Sequence, residues 1–500
     1  MLETSSLTSD SQPGVQLVEA TSVQREPGGE ELPLCVDLDG TLIKSDSLVD
    51  SLLVMARKRP ALLLQLPARL FHGKAAFKAF VSESISLDVL HLPYNRELLR
   101  YLQQERARGR TIYLATGADQ RLAQRVARHL GIFTGVLGSD GVTNLTGGDK
   151  LARMRSELGA ERFSYVGNSR VDLPLLAQAA EPMVANPSVG LRLGLRSRGI
   201  SPARVFEDRK PLPMALLSSI RLHQWAKNLL VFAPIMLAHR LNLKTLPGVL
   251  LAFFCFSLTA SATYIVNDML DIEADRRHSR KQNRPFASGD LGALTGLLIV
   301  AVFLLPVLLS GHWLSIAFHG WLVLYLVMTL AYSFFFKRLA LVDVLVLAGL
   351  YTIRLLAGGA ATQVVISHWF AGFSIFLFLS LAFVKRFSEL ENLRASTLPP
   401  RNGRGYVVAD LEQMRAFGTA SAFATVVVFA NYISGRDVTR LYRQPSLLWL
   451  IVPLMILWLC RVWLLASRGE LSEDPVLFAV TDKASLLIGV LVILIAFLAV

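Results

Sequence analysis

The sequence predicts two dissimilar parts in one chain. An α/β domain over residues 32–205, with a small helical cap at about 45–108, precedes an all-α polytopic membrane domain of about nine transmembrane helices over 212–500. Three observations support this division. The 500 residues are 53% hydrophobic with a mean hydropathy of +0.45, and long apolar stretches follow one another only after about residue 212. Before that point short apolar runs alternate with helical patterns, as strands and helices do in an α/β domain. The formal net charge is +13, with basic residues gathered in loops between apolar stretches, a pattern of membrane orientation and not of nucleic-acid binding. Cys35, Cys255 and Cys460 are far apart in apolar settings, which argues against disulfides and a zinc site and fits a reducing compartment.

Taken in order, residues 1–31 are rich in Ser, Glu, Gly and Pro and read as a disordered tail with no signal peptide. The clearest strands are 34–38, 111–116 and 163–167, each ending in residues suited to the carboxyl edge of a parallel sheet. Stretches able to span a bilayer follow at 214–238, 248–268, 291–310, 313–335, 341–361, 367–385, 413–433, 446–466 and 484–500. The first is weak, because Arg221, His223 and Lys227 interrupt it. Three loops are basic: Arg276, Arg277, Arg280, Lys281 and Arg284; Lys337 and Arg338; and Lys385, Arg386, Arg394, Arg401 and Arg404. All fall on one side if nine spans cross, so that side is expected to be cytoplasmic and to hold the α/β domain. Arg436, Arg440 and Arg443 would lie opposite.

Where the second span ends, Asn267-Asp268-Met269-Leu270-Asp271-Ile272-Glu273-Ala274-Asp275 leads into the first basic loop. At about 100° per residue, Asn267, Asp268, Asp271 and Asp275 share a helix face roughly 100° wide, and Glu273 points away. Carboxylates so close repel unless a cation joins them, and hard oxygen donors of this kind suit Mg²⁺ bridging to a diphosphate. A solvated helix end is the plainer alternative. Arg354 lies deep in the fifth span, where a charge costs at least ~2.5 kcal/mol unless it faces a polar cavity or a partner such as Asp343.

With Arg221, Gln224, Trp225, Lys227 and Asn228 before it and Arg284-Pro285-Phe286-Ala287-Ser288-Gly289 after it, the acidic run resembles the UbiA prenyltransferase superfamily over essentially all of 212–500. The resemblance implies helices around a cavity open to lipid, with the acidic motif holding Mg²⁺ against a diphosphate. Ordinary members carry a second aspartate-rich DxxxD motif at the end of a later helix. Here the matching place has Tyr332-Ser333, Lys337 and Asp343, followed by Tyr351, Arg354 and Gly358-Gly359. That pattern, with Asp474-Pro475-Val476 and Asp482-Lys483, is similar to the phosphoribosyltransferase branch of the family, which moves a 5-phosphoribosyl group from phosphoribosyl diphosphate to a polyprenyl phosphate. It implies Mg²⁺ at Asn267, Asp268, Asp271 and Asp275, Asp343 as a further metal candidate, and substrate contacts from Lys227, Asn228, Arg284, Tyr332, Lys337 and Arg354.

In the α/β part, Asp37-Leu38-Asp39-Gly40-Thr41 follows the first strand and Thr116 ends the second. Lys150 comes next, and Gly167-Asn168-Ser169-Arg170-Val171-Asp172 closes the third. Four motifs in this order resemble the haloacid dehalogenase-like (HAD) phosphatases. The resemblance implies a Rossmann-like HAD domain in which Asp37 attacks phosphorus, Asp39 is the acid/base, and Thr116 and Lys150 bind the phosphoryl oxygens. Asp37, Asp39, Asn168 and Asp172 are then the Mg²⁺ candidates. The family usually has Asp where Asn168 stands; an amide oxygen still ligates Mg²⁺ but adds no charge, so affinity falls unless Asp172 compensates.

Joined, the resemblances imply a Mg²⁺-dependent transferase of the cytoplasmic (inner) membrane. Its partners are the bilayer, phosphoribosyl diphosphate and a polyprenyl phosphate, and the fused phosphatase removes the 5-phosphate that transfer leaves behind. Two other readings stand beside it. One is a prenyltransferase moving a chain from polyprenyl diphosphate to an aromatic or other acceptor, against which the missing second acidic motif counts. The other is a non-enzymatic lipid-binding protein with a degenerate HAD domain.

Overall fold

A computed structural model describes residues 32–159, 161–394, 404–471 and 475–500; the expected tail at 1–31, Arg401 and Asp474 lie outside the described residues. The amino-terminal part is a six-stranded, all-parallel sheet in the order β3-β2-β1-β4-β5-β6, with β1 Leu34–Val36, β2 Ile112–Asp119, β3 Gly135–Ser139, β4 Ser164–Gly167, β5 Glu181–Ala185 and β6 Arg204–Phe206. Leu34, Cys35 and Val36 are fully buried, as a central strand covered by helices on both faces requires. β1 pairs with β2 on one side and β4 on the other, and the winding reverses between β1 and β4. The crevice at the carboxyl ends of such a pair is where open α/β sheets bind ligands. The expected strands correspond to β1, β2 and β4, although β1 ends at Val36 and leaves Asp37 and Asp39 on the turn beyond it.

The region at 45–108 is helical. Its first helix, α1, runs from Ser47 to Lys58 and is capped by Asp46, whose carboxylate accepts from the amides of Leu48 and Val49 at 2.9 and 3.0 Å.

Among the described residues of the membrane part, seven helices are long and apolar enough to cross a bilayer: Leu246–Leu270, Ala293–His312, Ile316–Phe334, Val342–Thr362, His368–Arg394, Val408–Ile433 and Pro445–Ser467. Pro475–Thr481 and Lys483–Ala499 form a pair bent by 76°, an eighth span if counted as one. The expectation of about nine is corrected at its first member. Instead of one helix over 214–238, Leu212–Ile220 stops at Arg221, whose φ of 55° is left-handed, and 3₁₀ structure continues over Leu222–Phe232. Arg221 turns out of the helix to reach an acid, and Trp225 and Asn228 after it donate to Ser261 and Ser257 of Leu246–Leu270. A second correction concerns Lys385 and Arg386, expected in a loop. They lie inside His368–Arg394, where Arg386 is almost fully buried.

The two parts pack together. Ile272, which opens the short helix Ile272–Arg277 after the acidic helix end, joins the hydrophobic core built on β1 and β2, and Leu53 of α1 packs with Ala215, Ile265 and Met269 of the membrane part. Arg276 is anchored across the junction: it pairs with Asp50 at 2.8 Å, donates to the Ser45 hydroxyl at 3.2 Å and holds the Ala287 carbonyl at 3.0 Å. Gly289, the last residue of the Arg-Pro-x-x-x-Gly loop, has φ of 75°, and a Cβ there would fall 2.7 Å from the Lys44 side chain, so only glycine permits this approach.

Candidate active sites

The first site forms at the β1/β4 switch point. Gly40 turns the chain just past Asp39 with φ of 72°, and a Cβ at Gly40 would lie 2.0 Å from the amide nitrogen of Asn168. The bare glycine thus lets the third motif close onto the first. Lys150 donates to Asp37 at 2.9 Å and to the Tyr165 hydroxyl at 3.1 Å, and Tyr165 donates to Asp172 at 2.9 Å. The second Asp172 oxygen accepts from the amides of Asn168 and Ser169 at 3.2 and 3.0 Å and from the Ser169 hydroxyl at 2.9 Å. Both Asp172 oxygens are therefore engaged in orienting Lys150 and the loop, a positioning task that differs from the compensating metal ligand expected for it. Asp39 accepts from the Ser47 amide at 2.7 Å, and the fully buried Thr116 accepts from the Ala118 amide at 3.0 Å.

Burial pushes the Asp37 carboxyl up to about 6, although the neighbouring Lys150 opposes the rise. Burial, reinforced by the Asp46 carboxylate, takes Asp39 to about 7. Burial works against the Lys150 charge, but Asp37 and Asp172 outweigh it and hold the ammonium above its ordinary value. These residues open onto a cavity of about 400 Å³ shared by Asp37, Asp39, Lys150 and Asn168. Arg209 and Gly292 form part of its wall, so the membrane part contributes to the mouth of this site. Lys78 also lines it and is fixed by the Gly117 carbonyl at 2.6 Å and Asn144 at 2.8 Å. Sequence reasoning missed Lys78, which has no motif around it and is positioned only by the fold.

The second site lies at the end of Leu246–Leu270. That helix stops before Asp271, and a short helix, Ile272–Arg277, follows. Asp268 is 2% exposed and receives Arg221 at 2.5 and 2.7 Å and Arg284 at 3.0 Å. Arg284 also reaches the buried Asp275 at 2.7 Å. Lys337 donates to Asp271 at 3.0 Å, and Arg57, from α1 of the other part, lies 3.4 Å from the same carboxylate. Burial raises Asp275 against the pull of Arg284 and lowers Lys337 against the pull of Asp271. The expected face is thus assembled: Asp268, Asp271, Asp275, Arg284 and Lys337 come together, with Asn267 half-buried beside them. Among the described residues, however, no three Asp, Glu, His or Cys side chains are grouped as a metal cage at either site. The physical reason is the pairing just described, since each acid is turned toward a cation or a hydroxyl, except Asp39, which accepts from the Ser47 amide. The donor chemistry still fits Mg²⁺, because Asp37, Asp39 and Asn168 offer hard oxygens to one cavity and Asn267, Asp268, Asp271 and Asp275 to one helix end.

The remaining candidates divide in two. Arg354 does not pair with Asp343. It donates to Asn228 at 2.9 Å, to Tyr325 at 3.1 Å and to the Leu350 carbonyl, with the rings of Tyr325, Tyr351 and Phe256 at 4.9, 5.2 and 5.5 Å. Lys227 lies 5.8 Å above the same Tyr351 ring. Desolvated cation–π contacts of this kind contribute about 2 kcal/mol. Tyr351 in turn stacks on Phe378 at 4.8 Å, and Phe378 lines an apolar cavity of about 470 Å³ with Phe370, Phe373, Leu377 and Trp458. Asp343 is fully buried and is held by Arg386 and by the Tyr332 hydroxyl at 2.8 Å, while Arg386 also pairs with Glu389 at 2.7 Å. Asp343 is therefore tied into a closed ion-pair network instead of standing as the further metal ligand expected, and Tyr332 is tied there with it. Arg386 was missed because a basic residue near a span end reads as a loop.

An apolar helical bundle with an acidic helix end ringed by cations, joined to a doubly wound domain with a buried Asp–Lys pair, defines an enzyme: an integral-membrane transferase carrying a hydrolase-type domain. A model of the UbiA prenyltransferase family matches residues 229–487, and a model of haloacid dehalogenase-like hydrolases matches 34–177. The chain belongs to the UbiA prenyltransferase family, with a HAD domain at its amino-terminal side. It is 37% identical over 92% of its length to the uncharacterized protein y4nM of Sinorhizobium fredii, 90% of which is covered. It is 36% identical to the decaprenyl-phosphate phosphoribosyltransferase of Mycobacterium tuberculosis, over 45% of this chain and 76% of that one. Among solved structures it resembles a UbiA homolog from Archaeoglobus fulgidus bound to GPP and Mg²⁺, with 17% identity, 57% of this chain and 99% of that one covered, and a TM-score of 0.45.

Proposed function

We propose that the membrane part, beginning near residue 212, transfers a 5-phosphoribosyl group from phosphoribosyl diphosphate to a polyprenyl phosphate. The HAD part, over 32–205, then removes the 5-phosphate from the lipid-linked product. The observation that carries the reading is Lys337, 3.0 Å from Asp271, where ordinary family members place a second set of acids. A prenyl diphosphate has one anionic end to bind, whereas phosphoribosyl diphosphate has a further phosphate monoester of about −1.5 to −2 charge, which calls for cations in place of carboxylates. The similarity to decaprenyl-phosphate phosphoribosyltransferases supports the same choice.

In this mechanism the bond from the anomeric carbon to diphosphate breaks as a bond to the lipid phosphate oxygen forms. The incoming phosphate is already an anion and needs no strong base. Lys337, Arg284 and Arg221 bind and orient the anionic donor. Asn267, Asp268, Asp271 and Asp275 would hold Mg²⁺, which when bound would supply Lewis-acid neutralisation of charge on the leaving group. The apolar cavity accepts the polyprenyl chain, and its Phe378–Tyr351 edge brings the phosphate toward Lys227, Asn228 and Arg354. In the HAD part Asp37 attacks phosphorus and Asp39 protonates the departing ribose oxygen, a role suited to a carboxyl near 7. Lys150 and Thr116 hold the phosphoryl oxygens, and water then releases phosphate from Asp37. Asp37, Asp39 and Asn168 would hold the Mg²⁺ of this site.

The enzyme is placed in the cytoplasmic membrane with both sites facing the cytoplasm, which the basic loops and the docking of the HAD part on the 271–292 loop support. The test is incubation of membranes with radiolabelled phosphoribosyl diphosphate and polyprenyl phosphate, followed by lipid extraction. Label is expected in a lipid ribose 5-phosphate and, later, in the dephosphorylated lipid. Label entering lipid only from polyprenyl diphosphate would overturn this reading in favour of prenyl transfer.

A further inference from the structure

We propose that Arg57, carried by the HAD part, belongs to the donor-binding site of the membrane part and contacts a phosphate of the anionic donor there. The inference rests on the transferase reading of the acidic helix end. Arg57 closes the last turn of α1, its side chain is 11% exposed, and it sits 3.4 Å from Asp271 and 5.2 Å over the Phe334 ring. It shares Asp271 with Lys337, so the two cations enclose one carboxylate from opposite parts of the chain. Arg221, Arg284, Lys337 and Arg57 thus surround Asp268, Asp271 and Asp275. With Mg²⁺ held by the carboxylates, the Arg57 guanidinium would turn from Asp271 to donor oxygens, for which a planar, fork-shaped donor is suited.

The placement of α1 makes this more than a surface ion pair. Its first turn belongs to the HAD site, since the Ser47 amide donates to Asp39 at 2.7 Å, and it is fixed to the membrane part through Asp50, which pairs with Arg276 at 2.8 Å, and through Leu53 at its middle. One twelve-residue helix therefore has an end in each site. A free surface arginine would sample many rotamers, whereas Arg57 is held by a ring on one face and an acid at its tip, so the entropy of ordering it is spent before the donor arrives.

The experiment uses the full chain in detergent or nanodiscs and reads transfer kinetics together with calorimetric binding of inorganic diphosphate in the presence of Mg²⁺. Arg57→Ala is expected to raise KM for the donor about tenfold or more and to weaken diphosphate binding equally, with kcat within about twofold, as loss of a hydrogen bond to a charged group predicts. Arg57→Lys should recover part of the affinity. Lys58→Ala, which removes the adjacent cross-junction pair with Glu273, should leave both measurements at the wild-type value. If Lys58→Ala shifts KM as much as Arg57→Ala, docking and not the Arg57 charge is responsible and the proposal is overturned. Asp271→Asn separates the two levels. Wild-type diphosphate binding and transfer in that variant would remove the transferase reading of the acidic helix end. Loss of both in Asp271→Asn, with wild-type KM and binding in Arg57→Ala, would overturn only the role of Arg57.

Discussion

The two acidic sites solve opposite problems with the same residue type. At the HAD site Asp37 has one buried ammonium beside it and Asp39 has a backbone amide, so both stay poorly compensated and their carboxyls rise to about 6 and 7. At the membrane site Asp268 alone takes two guanidinium groups, and Asp271 takes an ammonium and a guanidinium. A carboxylate meant to attack phosphorus or deliver a proton must keep its reactivity, which heavy pairing would quench. One meant to balance the charge of a metal and a diphosphate loses nothing by exchanging one cation for another. The surroundings of an aspartate, more than its presence, distinguish chemistry from charge balance.

The sharpest way to break this contrast is Asp37→Asn. An amide keeps the shape but lacks the anionic oxygen, so phosphatase turnover should fall on the order of 10⁴-fold or more. Transfer should continue, and mass spectrometry of extracted lipids should find the ribose 5-phosphate lipid accumulating. An unchanged lipid profile, with no other phosphatase acting, would remove Asp37 from the reactive class. The fully paired limit is tested by Arg386→Ala. It strips the buried Asp343 of its partner and should cost about 3–5 kcal/mol of stability, seen as a large drop in Tm in detergent, much of which a combined Arg386→Met and Asp343→Leu replacement should restore. A small drop in the single variant would mean that the Arg386–Asp343 pair does not hold the bundle together.

Asp271→Asn addresses the charge-balancing class directly. Lipid labelling should fall about 100-fold or more, while the isosteric amide at this partly buried position leaves the fold intact. Retention of more than about a tenth of the activity would place the metal elsewhere. The smallest expected effect comes from Asn168→Asp, which restores a charge beside Asp37. It should lower the Mg²⁺ concentration for half-maximal phosphatase activity several-fold with little change in transfer. A higher Mg²⁺ requirement would show that the amide is needed for its approach to Gly40.

Much of this was legible in the sequence because both sites are built from short runs whose spacing matches local geometry. Asp37 to Gly40 follows a strand, and Asn267 to Asp275 straddles a helix end, so distance along the chain stands in for distance in space. What was not legible has no such proxy. Arg57 and Asp271 are more than two hundred residues apart and meet only because α1 docks on the loop. Arg386 looks like a span-end cation until Asp343 and Tyr332 are seen to draw it inside. Arg221 was noted as a weakness in the first span, but that it would take a left-handed conformation and end the helix follows from the acid it reaches, not from its neighbours. Arg354 was expected to face a polar cavity or a partner such as Asp343, and it rests among tyrosines with Asn228, an arrangement that hydropathy alone does not signal.

The insertion of Ile272 into the core of the HAD part bears on how the protein is made. That core is synthesised first, since β6 ends at Phe206, yet one of its buried side chains comes from beyond the first long membrane helix. At translation speeds of about 5–20 residues per second, the amino-terminal domain spends several seconds outside the ribosome with an apolar notch still open, and the notch closes only when Leu246–Leu270 has entered the bilayer. Membrane insertion thereby completes a soluble domain. A failure of insertion would leave that domain marked by exposed apolar surface, the feature by which chaperones and proteases recognise an unfinished protein.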